Sequence, residues 1–129
     1  MAQDIVTDKG LAIAVDRLKA AATYTAEPKF VSWGTGSAQT VASNALATEV
    51  IDTARATCTP SIVTTLTTGD TYRVVGTITA TTARVITEAA LFDVVTAASG
   101  NMFVYSDFAA INLATNDSIT FTFNVQFNQ

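Results

Sequence analysis

The C-terminal segment restricts the possible folds of this chain more than any other feature. Ile119, Phe121, Phe123, Val125 and Phe127 alternate with Thr120, Thr122, Asn124, Gln126 and Asn128. Strand side chains point to opposite faces in turn, whereas a helix would scatter this pattern around its circumference. The segment is therefore predicted as a strand with one buried face and one wet face. That is the pattern of an antiparallel sheet packed on one side. Such a strand needs neighbours in its own sheet and a second layer to cover it.

The rest of the chain supplies both. Asp70–Thr81 is predicted as a long strand, with Tyr72, Val74, Gly76, Ile78 and Ala80 on one side and Arg73, Thr77 and Thr79 on the other. Further strands are predicted at Lys29–Trp33, Val85–Val94, Met102–Ser106 and Phe108–Ile111. Another spans Thr53–Thr59 and Ser61–Thr68, interrupted at Pro60, which cannot donate to a ladder and so marks an edge or a bulge. Gly69-Asp70, Ala98–Asn101 and Asn116-Asp117 read as turns, and residues 37–48 as a loop with room for one helical turn. The fold class expected is mainly β: an antiparallel β-sandwich, jelly-roll or Ig-like, with one N-terminal α-helix.

That helix is predicted over residues 8–22. Leu11, Ala14, Val15, Leu18 and Ala22 share a face, Thr7 or Asp8 caps the start, and Glu27-Pro28 forbids continuation. The organisation expected is an N-terminal helical segment at 1–28 and a sandwich at 29–129. The stripe Leu11, Val15 and Leu18 either covers the sandwich or docks on a neighbouring subunit. Trp33, beside Phe30 on a short strand, is a core or interface anchor.

Composition narrows the function. Charged residues are 14% of the chain and apolar residues 49%, against about 25% charged in ordinary soluble domains. A weakly charged surface rich in threonine suits a protein covered in an assembly. A chain of 129 residues fits one domain. It starts at its own Met1 and is expected to be a complete small subunit with both ends tied down. The net charge of −4 and the scattered basic residues argue against nucleic acid. The helix lacks the basic face and aromatic anchors of a membrane-surface helix, and no run is long enough to span a bilayer. No basic, apolar leader opens the chain, so synthesis in a cytoplasm without standard export is expected.

Catalysis has few candidates. There is no histidine, and Cys58 is the lone cysteine, which leaves no internal disulfide and no cysteine zinc cage. The carboxylates open to acid–base work are Glu88 and Asp93 on one strand, with Asp70 and Asp117 at turns. Glu88 and Asp93 are five apart, which points them to opposite faces of a regular strand. Turn aspartates already have work with the backbone. Gly34-Thr35-Gly36 lacks the Gly-Lys-Ser/Thr and helix of a phosphate loop, so it reads as a strand end. The chain is expected to be no enzyme and to use no metal or cofactor.

Several segments carry a family likeness. Lys29-Phe-Val-Ser-Trp-Gly-Thr-Gly36, Leu46-Ala-Thr-Glu-Val50 and Asp70-Thr-Tyr-Arg-Val-Val-Gly-Thr-Ile-Thr-Ala80 come first. Ile86-Thr-Glu-Ala-Ala-Leu-Phe-Asp93, Gly100-Asn-Met-Phe-Val-Tyr-Ser-Asp-Phe108 and Asn116-Asp-Ser-Ile-Thr-Phe-Thr-Phe123 follow in order. Together they resemble small structural proteins of tailed bacteriophages. Ile86–Asp93 is the closest piece, with Ala90 where a glycine is common. The likeness implies a virion protein of the capsid cement, or decoration, type. Such a protein would bridge and stabilise major capsid protein subunits on the capsid surface, as a homotrimer made in the host bacterial cytoplasm. A tail-fibre or baseplate adaptor is the alternative, and a carbohydrate-binding module comes third. The likeness transfers no catalytic residue.

Overall fold

The structure is a computed structural model, and it describes residues 3–20 and 27–128. Eight strands and one helix follow the order β1 (Gln3–Val6), α1 (Asp8–Lys19), β2 (Phe30–Gly34), β3 (Ala56–Thr57), β4 (Ser61–Val63), β5 (Thr71–Thr79), β6 (Arg84–Phe92), β7 (Met102–Leu113) and β8 (Ser118–Gln126). They form two antiparallel sheets, one ordered β1-β7-β6-β2-β3 and the other β4-β5-β8. Among the described residues the fold is thus mainly β with one helix, as the alternation implies.

The core lies between the sheets. Val31, Trp33, Ile86 and Leu91 from the larger sheet meet Val74, Ile78 and Val125 from the smaller one. On β5 the inward set is Val74, Gly76 and Ile78, followed by Ala80, all buried, while Val75, Thr77 and Thr79 are exposed. At Gly76 the layers approach closely: a Cβ there would lie 2.6 Å from Cys58 Sγ and 2.9 Å from Val31. Cys58 is a half-buried filler whose thiol pKa is raised by burial.

The larger sheet is buried on its second face too. Leu46 packs there with Ala90, Phe92, Met102 and Tyr105. The 35–49 loop, which carries no helical turn, lies over this face, with Leu46 in the cluster and Gly36, Ala47 and Thr48 bonded to Glu88. Double burial explains why β6 is buried without alternation from Glu88 to Phe92. The Ile86–Asp93 likeness therefore falls on the most enclosed strand of the fold.

Three sequence-based expectations change. The N-terminal segment expected to stand apart from the sandwich contributes a strand to it, because β1 pairs with β7 from Gln3↔Asp107 to Val6↔Val104. Thr7 caps α1 through its hydroxyl and the Gly10 N–H (2.9 Å). Gly10 then brings the helix against β7, where any Cβ would collide with the Phe103 carbonyl oxygen. That close seat selects the buried helix face, Gly10, Ile13 and Asp16. The expected stripe is turned to solvent instead. Second, β7 runs unbroken through Asp107, where the sequence suggested two strands. Third, Thr53–Thr68 keeps only two short strands, β3 on one sheet edge and β4 on the other, so Pro60 marks the crossing between sheets. The helix ends at Lys19, with Ala20 in the left-handed region (φ 56°). The part of the helix expectation that reaches Ala22, and the chain ends 1, 2 and 129, lie outside the described residues.

Candidate interaction surface

The fold leaves one side of the sandwich open. β8 is hydrogen-bonded to β5 on one flank only, and β1 is the matching edge of the larger sheet. Between these edges lies a groove of about 650 Å³, lined by Ile5 and Val6, by Val104 and Phe108, and by Phe121 and Phe123. Phe121 packs edge-on against Trp33 at 6.4 Å and tilted against Phe108 at 6.1 Å. Ile119, Phe121 and Phe123 face inward as their alternation requires, yet remain half-exposed because no further strand among the described residues covers that flank. Phe127, predicted on the same buried face, lies one residue past β8 and is 59% exposed; close core contact ends at Val125.

The helix offers the second apolar surface. Leu11, Val15 and Leu18 are 57%, 64% and 88% exposed. Of the other two residues expected at an interface, Phe30 is half-buried against the Leu46–Phe92 cluster. Trp33 is corrected to core: it is 1% exposed and lies inside the chain, so it offers nothing to a neighbour.

The carboxylates hold loops. Glu88 is fully buried and accepts from the N–H groups of Gly36 (3.2 Å), Ala47 (3.1 Å) and Thr48 (2.8 Å). Asp107, opposite it in register, accepts from the N–H groups of Gln3 and Ala38. Tyr105 lies nearby, its hydroxyl pKa pushed far up by burial and by the Glu88 charge. Asp93 holds the Asn101 backbone and side chain, and Asp117 the Ala114 N–H. A loop laid over a sheet face must still satisfy its backbone donors, and buried carboxylates do so here.

Sequence reasoning missed the strongest of these clasps. Arg55 and Glu49 form a buried bidentate pair at 2.7 and 3.1 Å, and the guanidinium stacks on Phe92 at 3.6 Å. Arg55 also donates to the Val94 and Ser99 carbonyls, while Glu49 accepts from Ser32 and the Ala98 N–H. Burial opposes the Glu49 charge, but the bonds from Arg55, Ser32 and Ala98 outweigh it and hold the carboxyl below its ordinary range. The pair is six positions apart, across Val50-Ile51-Asp52-Thr53-Ala54, and nothing in that spacing signals the contact.

Asp70 makes a similar clasp at the β4–β5 turn. It accepts from the backbone N–H groups of Thr65, Leu66 and Thr67 and from the Gln126 side chain. These bonds, that of Thr67 first, hold its carboxyl well below the usual carboxylate range. A depressed carboxylate stabilises the fold above its unfolded pKa of about 3.9, and that contribution disappears as pH falls towards the folded value. With no histidine, no side chain ordinarily titrates between about pH 5 and 7. Thermal melts should therefore give a flat Tm over that interval and a fall below about pH 4. Asp70→Asn should lower the neutral-pH Tm and flatten the acid limb. An acid limb identical to the parent's would show that the turn clasp does not contribute.

Among the described residues, no group of three or more Cys, Asp or Glu is placed to hold a metal, and no helix is long and apolar enough to cross a membrane. No protein-family profile, curated protein or solved structure matches the chain.

Proposed function

We propose that this chain is a non-enzymatic virion structural protein of a tailed bacteriophage. Its role is that of a capsid cement protein, which associates with itself and bridges major capsid protein subunits at the capsid surface. One observation carries the reading: a small, weakly charged domain keeps two apolar surfaces in water, the α1 stripe and the open groove beside β8. Apolar patches of this kind on a small protein mark places where other proteins sit. The collinear likeness over residues 29–127 supports the phage assignment. The carboxylates open to catalysis are occupied with backbone N–H groups, which supports a structural role. Repetition around a shell makes weak contacts sufficient, since each added copy raises avidity without a new kind of contact.

The α1 stripe is the surface assigned to the shell. Val15→Glu combined with Leu18→Glu places two charges on it. Both positions are exposed, so the fold should be retained, each change costing about 0.5 kcal/mol or less. Binding to purified capsids, read by co-sedimentation, should weaken at least about tenfold, the effect of losing one well-packed anchor. Unchanged binding by a folded double variant would remove α1 from the proposal. A tail-fibre or baseplate adaptor would use the same surfaces, and copy number per particle separates the two.

A further inference from the structure

We propose that β8 is a two-fold interface, in which a second copy of this chain adds its own β8 antiparallel to the first, centred on Thr122. This deepens the self-association named above and rests on it; a pair of copies takes the place of the trimer implied by the family likeness.

The backbone sets the register. Ala80 N–H donates to the Asp117 carbonyl and Phe127 N–H donates to the Asp70 carbonyl, one at each end of the β5–β8 ladder. Partners alternate along an antiparallel pair, so the odd residues of β8 bond to β5. The even residues, Ser118 to Gln126, then turn their N–H and C=O groups to the free edge. Thr122 is the midpoint of β8. Full antiparallel overlap of two copies sets Thr122 against itself, Thr120 against Asn124 and Ser118 against Gln126. Each of these is a bonded pair, so up to about ten N–H···O bonds form. The same register sets Phe121 of one copy against Phe123 of the other at a non-bonded position, where side chains are closest. Both rings face the grooves, which the added strand roofs over.

The strand lacks what would keep such an edge single. Free edges are ordinarily blunted by charge, proline, a bulge or brevity. β8 has nine residues, none of them charged, Pro or Gly, and its register with β5 is unbroken. A second copy suits it because the sequence Ser-Ile-Thr-Phe-Thr-Phe-Asn-Val-Gln reads inward-apolar and outward-polar in both directions. The area is adequate too. A strand of this length spans about 30 Å, and two layers about 10 Å apart with their side chains are about 20–25 Å thick. That side offers roughly 600–750 Å² to each partner, near the ~800 Å² of a standard stable interface.

Sedimentation velocity of the full chain at micromolar concentrations tests the pairing. The parent should sediment as a dimer. Thr122→Pro removes an edge N–H without touching the β5 ladder, so it should be a monomer with an unchanged circular dichroism spectrum. Its dimerisation should be at least about a hundredfold weaker. Should that variant fail to fold, Thr122→Lys, which opposes two like charges across the axis, gives the same reading. On a Cys58→Ser background, Thr122→Cys should cross-link to itself with a short bis-maleimide, and Ser61→Cys on β4 should not. A monomeric parent overturns the proposal. So does an oligomer that both Thr122 variants leave intact, or cross-linking at Ser61 rather than Thr122. Capsid binding is read separately: a monomer that still binds capsids defeats the pairing alone, and a dimer that never enters particles defeats the cement reading alone.

Discussion

Arg55→Met should destabilise the fold by about 3–5 kcal/mol, the cost of leaving one member of a buried ion pair without the other. The side chains of Arg55 and Glu49 are 1% and 7% exposed, so water does not take the place of the missing partner. Methionine still packs on Phe92, but Glu49 then keeps only Ser32 and the Ala98 N–H. The Val94 and Ser99 carbonyls lose their donors at the same time. Glu49→Leu alone should cost a similar amount, by stranding the guanidinium. The double variant Arg55→Met with Glu49→Leu should be more stable than the two single losses summed, because an apolar pair leaves no isolated charge. Urea unfolding measures all three. Single-variant losses below about 1 kcal/mol would mean that the pair does not hold residues 35–55 to the sheet.

Trp33→Ala should also cost about 3–5 kcal/mol, the range for truncating a large buried aromatic. Trp33 is 1% exposed and meets Phe121 across the two layers. Trp33→Phe keeps an aromatic ring at that contact. It also removes an indole N–H that has no hydrogen-bond partner among the described residues, so it should cost less than half as much. The pair of variants separates core from interface. A folded, stable Trp33→Ala protein defective only in assembly would favour the interface role over the core role for Trp33, the two alternatives its sequence context allows.

The parts legible in the sequence are those set by local periodicity. β5 and β8 alternate cleanly because one face of their sheet meets water, and period two then appears in the letters. β6 is legible as a strand, but its unbroken burial from Glu88 to Phe92 is not, because it comes from a loop covering its outer face. β1 is only four residues long, too short for a period to show. The α1 stripe shows in the sequence, but not its exposure, which follows from Gly10: its contact with the Phe103 carbonyl selects a different face. In the sequence Gly10 looks like a weak first turn. The open groove is not legible in the letters, because it comes from strand order: among the described strands β8 bonds to β5 alone and forms a sheet edge beside Phe121 and Phe123.

The strongest single check is the copy number of this chain in purified particles of a phage that encodes it, by quantitative mass spectrometry against the major capsid protein. The cement reading predicts hundreds of copies, in fixed proportion to the capsid subunits and retained in tailless heads. A few to a few dozen copies, lost with the tail, would place the chain in a fibre or baseplate, and its absence from the particle would contradict the account.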